Sequence, residues 1–257
     1  MTETKQYSRN EFLHRYYAHR GLHNAERGIP ENSLAAFRAA AEKGYGVELD
    51  VQLSQDGQVI VFHDDTLDRV CDVHGNVADY PLSRLREMRL LHTAETIPLL
   101  TEVLDVLSGR AGPLIVELKT GRRNQELCAK TLALMRHYPG VFCIESFDPR
   151  IVRWFRKNAP EIFRGQLAQP ASFYLPLLSK SVARLLAGCR FSFLNRPDFI
   201  AWRIGPVSRR IHRLCHGNRL LIGWTSHQAE QDAPGYDSII FESSLPPLKY
   251  DLSSAEG

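Results

Sequence analysis

Apolar and polar positions along this chain follow two alternating rhythms. Short β-type runs fall at residues 15–18, 46–52, 114–118, 141–145, 164–167, 198–201, 220–223 and 238–241, each bounded by polar or turn-forming residues. Between them, apolar residues recur at steps of three and four: Leu34, Phe37 and Ala41; Val103, Leu104 and Leu107; Ile151, Val152 and Phe155. That spacing predicts helices with one apolar face, each able to cover a sheet. Eight such units predict a single α/β domain over residues 1–257, a (β/α)8 TIM barrel. An open doubly wound sheet is the alternative that periodicity leaves standing.

Two local signals refine this picture. Asn32 is placed to cap the first helix with a side-chain acceptor, and Gly44 to end it in a left-handed turn,. The stretch from 64 to 113 is too long for a simple strand-to-helix connection. It predicts an insertion subdomain after the second strand, about residues 64–100, with amphipathic pieces at 82–90 and 100–107, followed by a barrel helix. The tail from Ser243, with Pro246 and Pro247, reads as an irregular cover,.

Composition changes the picture little. Hydrophobic residues at 44% and charged residues at 24% are ordinary for a soluble globular domain,. A formal charge of +3 gives no case for nucleic acid,. The first ten residues lack the apolar core of a secretory signal, and no run approaches the ~18 to 20 apolar residues of a membrane span. The expectation is a cytoplasmic protein without stable membrane insertion. Cys71, Cys128, Cys143, Cys189 and Cys215 are scattered, without a metal or redox pair,. Cys128 and Cys143 read as core filler.

The ionisable residues carry more information, because they gather at the ends of predicted strands. His19 and Arg20 follow the first, Glu48 and Asp50 lie on the second, and Glu117 and Lys119 close the third. In a barrel the C-terminal strand ends share the face on which active sites are built. Glu48 and Asp50, two apart on a strand, point the same way. With Glu117 they would put three carboxylates in one small volume, which a divalent cation would compensate. Oxygen ligands favour Mg²⁺ or Ca²⁺. His19 and His63 stand where one imidazole can take a proton and the other supply one. Arg20 and Lys119 add positive charge suited to a phosphate ester. The basic run Arg203, Arg209, Arg210, Arg213 and Arg219 reads as a solvated amphipathic helix,.

Several motifs extend this reading. Ala18-His19-Arg20-Gly21, Pro30-Glu31-Asn32-Ser33, Gly46-Val47-Glu48-Leu49-Asp50-Val51, Asp56-Gly57 and Val61-Phe62-His63-Asp64 occur in order. They are followed by Ile97-Pro98-Leu99-Leu100-Thr101-Glu102, Val116-Glu117-Leu118-Lys119, Glu145-Ser146-Phe147-Asp148 and Trp224-Thr225. The ordered set resembles the glycerophosphodiester phosphodiesterase family over nearly the whole chain.

That resemblance implies metal-dependent hydrolysis of a small glycerophosphodiester to glycerol 3-phosphate and an alcohol. It implies His19 and His63 as the acid/base pair and Glu48, Asp50 and Glu117 as ligands of one divalent cation. Arg20 and Lys119 would then hold the phosphate, with Phe147 and Trp224 lining the glycerol pocket. The alternatives are a lysophospholipase D activity and an inactive barrel that binds phosphodiesters. Ser226-His227 and Phe241-Glu242 depart from the family pattern, which bears on substrate preference.

Overall fold

The computed structural model describes residues 7–250; residues 1–6 of the polar amino-terminal segment and 251–257 of the tail lie outside the described residues. Two compact units divide the chain: residues 18–141, and residues 1–17 with 142–257. All eight expected strands are present, two with the expected ends and six shifted by one to three residues at one or both ends. The first, β1 (Tyr16–His19), includes His19 as its last residue rather than leaving it in the following turn.

In the unit from 18 to 141, β2 (Gly46–Leu53) pairs in parallel with β4 (Leu114–Leu118), with Asp50 opposite Glu117. A ninth strand, β3 (Val59–Val61), was not expected from the sequence. It returns antiparallel to β2, Val51 facing Val61, through a turn in which Gly57 takes a φ of 78°. Three apolar residues in a row show no alternation, so the sequence has no period-two signal there.

Helix α1 (Leu34–Lys43) starts at Ser33, whose hydroxyl accepts from the Ala36 amide at 3.1 Å. Asn32 is therefore not the cap. Its neighbour fills that role, and Asn32 sits at φ 54° with its side chain turned elsewhere. Gly44 ends the helix at φ 76°, as expected. The expected helical piece at 82–90 shortens to α2 (Leu82–Leu85), whereas α3 (Leu100–Leu107) is as anticipated and buries Val103, Leu104 and Leu107. Residues 60–97 gather a core of their own around Leu67, Val70, Leu85, Leu90 and Ile97. Full burial of each such side chain is worth roughly 1.5–3 kcal/mol. Helix α4 (Asn124–Met135) follows β4.

The second unit continues the alternation. β5 (Phe142–Ser146), β6 (Arg164–Ala168), β7 (Phe199–Arg203), β8 (Leu220–Ser226) and β9 (Ser238–Phe241) pair in sequence, all parallel. Between them run α5 (Pro149–Asn158), α6 (Lys180–Ala187), α7 (Ser192–Asn195), α8 (Arg209–Cys215) and α9 (Ala229–Asp232). α5 buries Ile151, Val152 and Phe155 on one side, as its spacing requires,. Cys128 and Cys143 are buried and free of disulfides. Among the described residues no helix is long and apolar enough to cross a membrane.

Candidate active site

Seven of the nine residues singled out from the sequence lie in the unit from 18 to 141, and local geometry explains how they meet. On β2 the apolar side chains of Val47, Leu49, Val51 and Leu53 alternate with Glu48, Asp50 and Gln52, yet Glu48 and Asp50 are as buried as their apolar neighbours. The parallel register sets Glu117 level with Asp50. Oxygens of Glu48, Asp50 and Glu117 all lie within 4.8 Å of one another.

Burying three carboxylates is costly, several kcal/mol for each ion, unless opposite charge accompanies them. Lys119 Nζ stands 2.9 Å from Glu117 and 3.4 Å from Asp50. Arg20 places Nε 3.4 Å from Asp50, and its backbone amide donates to Glu48 at 3.2 Å. Burial pushes the Asp50 carboxyl up, but Lys119, His63 and Arg20 together hold it well below the usual range. Glu117 goes the other way: burial and the neighbouring Asp50 charge outweigh Lys119 and raise it. Lys119 loses stability as a cation by burial and regains more from Glu117 and Asp50, so it stays charged at neutral pH.

The turn after β1 is built to deliver Arg20. Arg20 sits at φ 54° and Gly21 at φ 79°, and a Cβ on Gly21 would lie 2.9 Å from the Ala36 backbone of α1. Only glycine fits there, which gives the His-Arg-Gly motif a steric reason. His19, at the end of β1, brings Nε2 to 3.9 Å from Glu48. The β2–β3 hairpin delivers His63: the amide of Phe62 donates to the Asp50 carbonyl at 3.0 Å, returning the chain to the level of the carboxylates.

Sequence reading placed several neighbours outside the site. Asn32 donates to Asp50 at 2.8 Å, and its Oδ1 is buried without a hydrogen-bond partner. Asp64 lies 2.5 Å from His63 Nδ1 and also accepts from Arg69 at 2.6 Å. Arg69 grips Glu31 with two bonds of 2.7 Å, and Glu31 accepts from Arg20 at 2.6 Å. A continuous chain of charges thus runs from His63 through Asp64, Arg69, Glu31 and Arg20 to Asp50. The Pro-Glu-Asn-Ser and His-Asp motifs hold its members, but only the fold shows them touching. A cavity of about 510 Å³ opens beside Lys119, lined among others by Gln52, Asp65, Asp79 and Arg122.

The donor set fits a hard divalent cation. Three buried carboxylates face only two cationic side chains within the cluster, Glu117 is hard to ionise without further positive charge, and a buried amide oxygen lacks a partner at its edge,.

Phe147 and Trp224 belong to the other unit and meet edge to face, ring centroids 5.4 Å apart. Phe147 also meets Tyr174 at 6.4 Å, and the Trp224 indole donates to the Ala201 carbonyl at 3.1 Å.

Residues 19–233 match the glycerophosphoryl diester phosphodiesterase family. The chain is 33% identical over 163 residues to a glycerophosphodiester phosphodiesterase of Caldanaerobacter subterraneus subsp. tengcongensis, covering 59% of this chain and 65% of that protein. It is 40% identical over 111 residues to one from Bacillus altitudinis, covering 40% and 44%. These matches span between about two fifths and two thirds of the relatives' lengths. An Oleispira antarctica phosphodiesterase, solved with the product sn-glycerol-3-phosphate, superposes with a TM-score of 0.75 at 25% identity, covering 91% of this chain and 95% of that one. A Thermotoga maritima glycerophosphodiester phosphodiesterase gives 0.66 at 22% identity, covering 88% and 93%. The fold class is the (β/α)8 barrel.

Proposed function

We propose that this chain, which belongs to the glycerophosphoryl diester phosphodiesterase family, hydrolyses a glycerophosphodiester to glycerol 3-phosphate and an alcohol. The observation that carries the reading is the convergence of Glu48, Asp50 and Glu117 between Arg20 and Lys119, with His63 on an Asp64 support. Glu48, Asp50 and Glu117 would hold one divalent cation, Mg²⁺ or Ca²⁺, which when bound supplies Lewis-acid chemistry at a phosphoryl oxygen.

The remaining steps fall to the chain's own side chains. Arg20 and Lys119, both kept charged by neighbouring carboxylates, bind the phosphate and stabilise negative charge that grows on it,. His19 and His63 divide the proton transfers, one accepting from the attacking oxygen and one donating to the leaving alcohol. Asp64 fixes the His63 ring through Nδ1, which leaves Nε2 for the proton,. The cavity beside Lys119 takes the alcohol.

The test is release of glycerol 3-phosphate from glycerophosphocholine and glycerophosphoethanolamine, followed with Mg²⁺, with Ca²⁺ and with a chelator. Release that the chelator abolishes is expected. Failure to release product with any divalent ion would replace this reading with an inactive phosphodiester-binding barrel.

A further inference from the structure

Charge is distributed very unevenly along this chain. Residues 162–229 carry ten basic side chains and a single acid, Asp198, whereas the rest of the chain has twenty-two basic against twenty-eight acidic. Some of these cations are structural: Arg210 donates to the Gly188 carbonyl, and Arg219 to those of Pro197 and Leu214. Lys180, Arg184, Arg190 and Arg196 are different. All four are exposed and, among the described residues, none makes an ion pair.

The same stretch exposes large apolar side chains. Leu177 is 86% exposed and Phe193 71%, with Phe173, Leu175, Val182 and Leu185 also open to solvent. A helix that packs on a globular core should turn its apolar stripe inward. α6 buries Ala183 alone and leaves Val182 and Leu185 outside, beside Lys180 and Arg184. Isolated exposed leucines mean little, but a set gathered within residues 173–193 and interleaved along the chain with unpaired cations marks an interaction surface.

We propose that the segment from Phe173 to Arg196 docks this protein on the surface of an anionic lipid bilayer. Two chemistries must be met at once: leucine and phenylalanine need an apolar phase, and the cations need fixed negative charge. The headgroup boundary of an anionic bilayer supplies both within one plane. A nucleic acid would satisfy the charges and leave Leu177 and Phe193 in water. A second copy of this chain would bury the leucines by facing cation with cation. The patch also continues inward within its own unit: the Arg203 guanidinium lies 4.2 Å above the Phe173 ring and 5.6 Å from Trp224. Docking does not depend on the proposed hydrolysis.

Co-sedimentation of the full chain with vesicles tests it, using phosphatidylcholine alone and phosphatidylcholine mixed with phosphatidylglycerol. Binding to the anionic vesicles only, weakening as salt rises, is expected. Lys180→Ala and Arg184→Ala should each weaken it about 5-fold, and Leu177→Asp or Phe193→Asp by roughly 10-fold or more. Turnover of soluble glycerophosphocholine, with circular dichroism, serves as the fold control and should not change. Should an aspartate variant fail to fold, the two alanine variants still read the charge contribution. Equal binding to both vesicle types, no binding to either, or binding indifferent to all four substitutions would each overturn the proposal. So would sedimentation velocity showing a dimer that Leu177→Asp dissociates in a protein that ignores vesicles. Absence of turnover in the wild type, with vesicle binding intact, would count against the hydrolase reading alone.

Discussion

Two regions of the molecule, residues 18–141 and the segment 171–196, treat charge differently. Residues 18–141 hold fourteen basic and seventeen acidic side chains, and seven of the basic ones pair with carboxylates. Arg84 meets Glu87, Arg86 meets Glu102, Arg123 and Lys130 share Glu126, and Arg20, Arg69 and Lys119 all contact carboxylates. In the other unit, the exposed cations between 171 and 196 have no carboxylate in their own segment to meet. Compensated charge that is buried can be spent on chemistry, because its field acts in a medium with few competing water dipoles. Uncompensated charge at the surface acts outward, on whatever approaches.

The harshest way to break this comparison is to remove a carboxylate from the buried cluster. Asp50→Ala should cut release of glycerol 3-phosphate by about 10³-fold or more, since a ligand and the partner of both Arg20 and Lys119 go together,. It should also destabilise the fold by about 1–3 kcal/mol, the cost of leaving the Asn32 donor without its acceptor,, while Lys119 keeps Glu117 and Arg20 keeps Glu31; thermal denaturation would read it. Vesicle binding by the folded fraction should be untouched. A variant that keeps its turnover would remove Asp50 from the site and the cluster from the mechanism. One that keeps turnover but loses vesicle binding would invert the assignment of the two regions.

A step smaller, His19→Ala and His63→Ala should each lower kcat by roughly 10²–10⁴-fold with substrate binding little altered, as loss of a proton donor or acceptor requires. The split between kcat and KM, measured under saturating divalent ion, separates this from a loss of phosphate binding. A rise in KM alone would make the two imidazoles binding groups. The double variant sharpens the point, because groups acting in one proton-transfer pair should not multiply their separate losses.

How much of this was legible beforehand depended on whether the signal was local. The alternation Glu48-Leu49-Asp50 on an apolar strand declares a one-sided carboxylate pair without any fold, and the eight strand runs point to a barrel while leaving an open sheet standing. Return of the chain through β3 was not legible, because Val59–Val61 is three residues without alternation. Asn32 misled for a physical reason: asparagine caps helices well, but Ser33 beside it does the same and frees Asn32 for Asp50. The links from Asp64 through Arg69 to Glu31 span separations of five and thirty-eight residues, and no periodicity reports such contacts. Exposure of α6 was equally hidden. Val182, Leu185 and Leu186 have the spacing of an ordinary core-facing stripe, and only the packed structure turns two of the three outward.

Glu31 offers the finest test of the contrast, since it makes the paired network visible in stability rather than rate. Burial would raise its carboxyl, but hydrogen bonds and charge from Arg69 and Arg20 hold it at about 2, against an ordinary 4.5. A folded-state value below the unfolded one means stabilisation that is complete above about pH 4.5 and fades as pH falls toward 2,. A tenfold change in proton affinity between the two states is worth about 1.4 kcal/mol. The half-exposed Arg69 tempers the sum through solvent screening, so a loss of roughly 2–3 kcal/mol across that window is expected. Glu31→Gln should lower the melting temperature near neutrality and flatten its slope between about pH 5 and 2, because the glutamine has no proton to gain. In the 171–196 segment no carboxyl exists to titrate, so vesicle binding should follow salt and lipid charge rather than this carboxyl. Identical slopes for wild type and Glu31→Gln would mean that the Arg20–Glu31–Arg69 contacts do not stabilise the fold, and the pairing that distinguishes the first region would lose its energetic meaning.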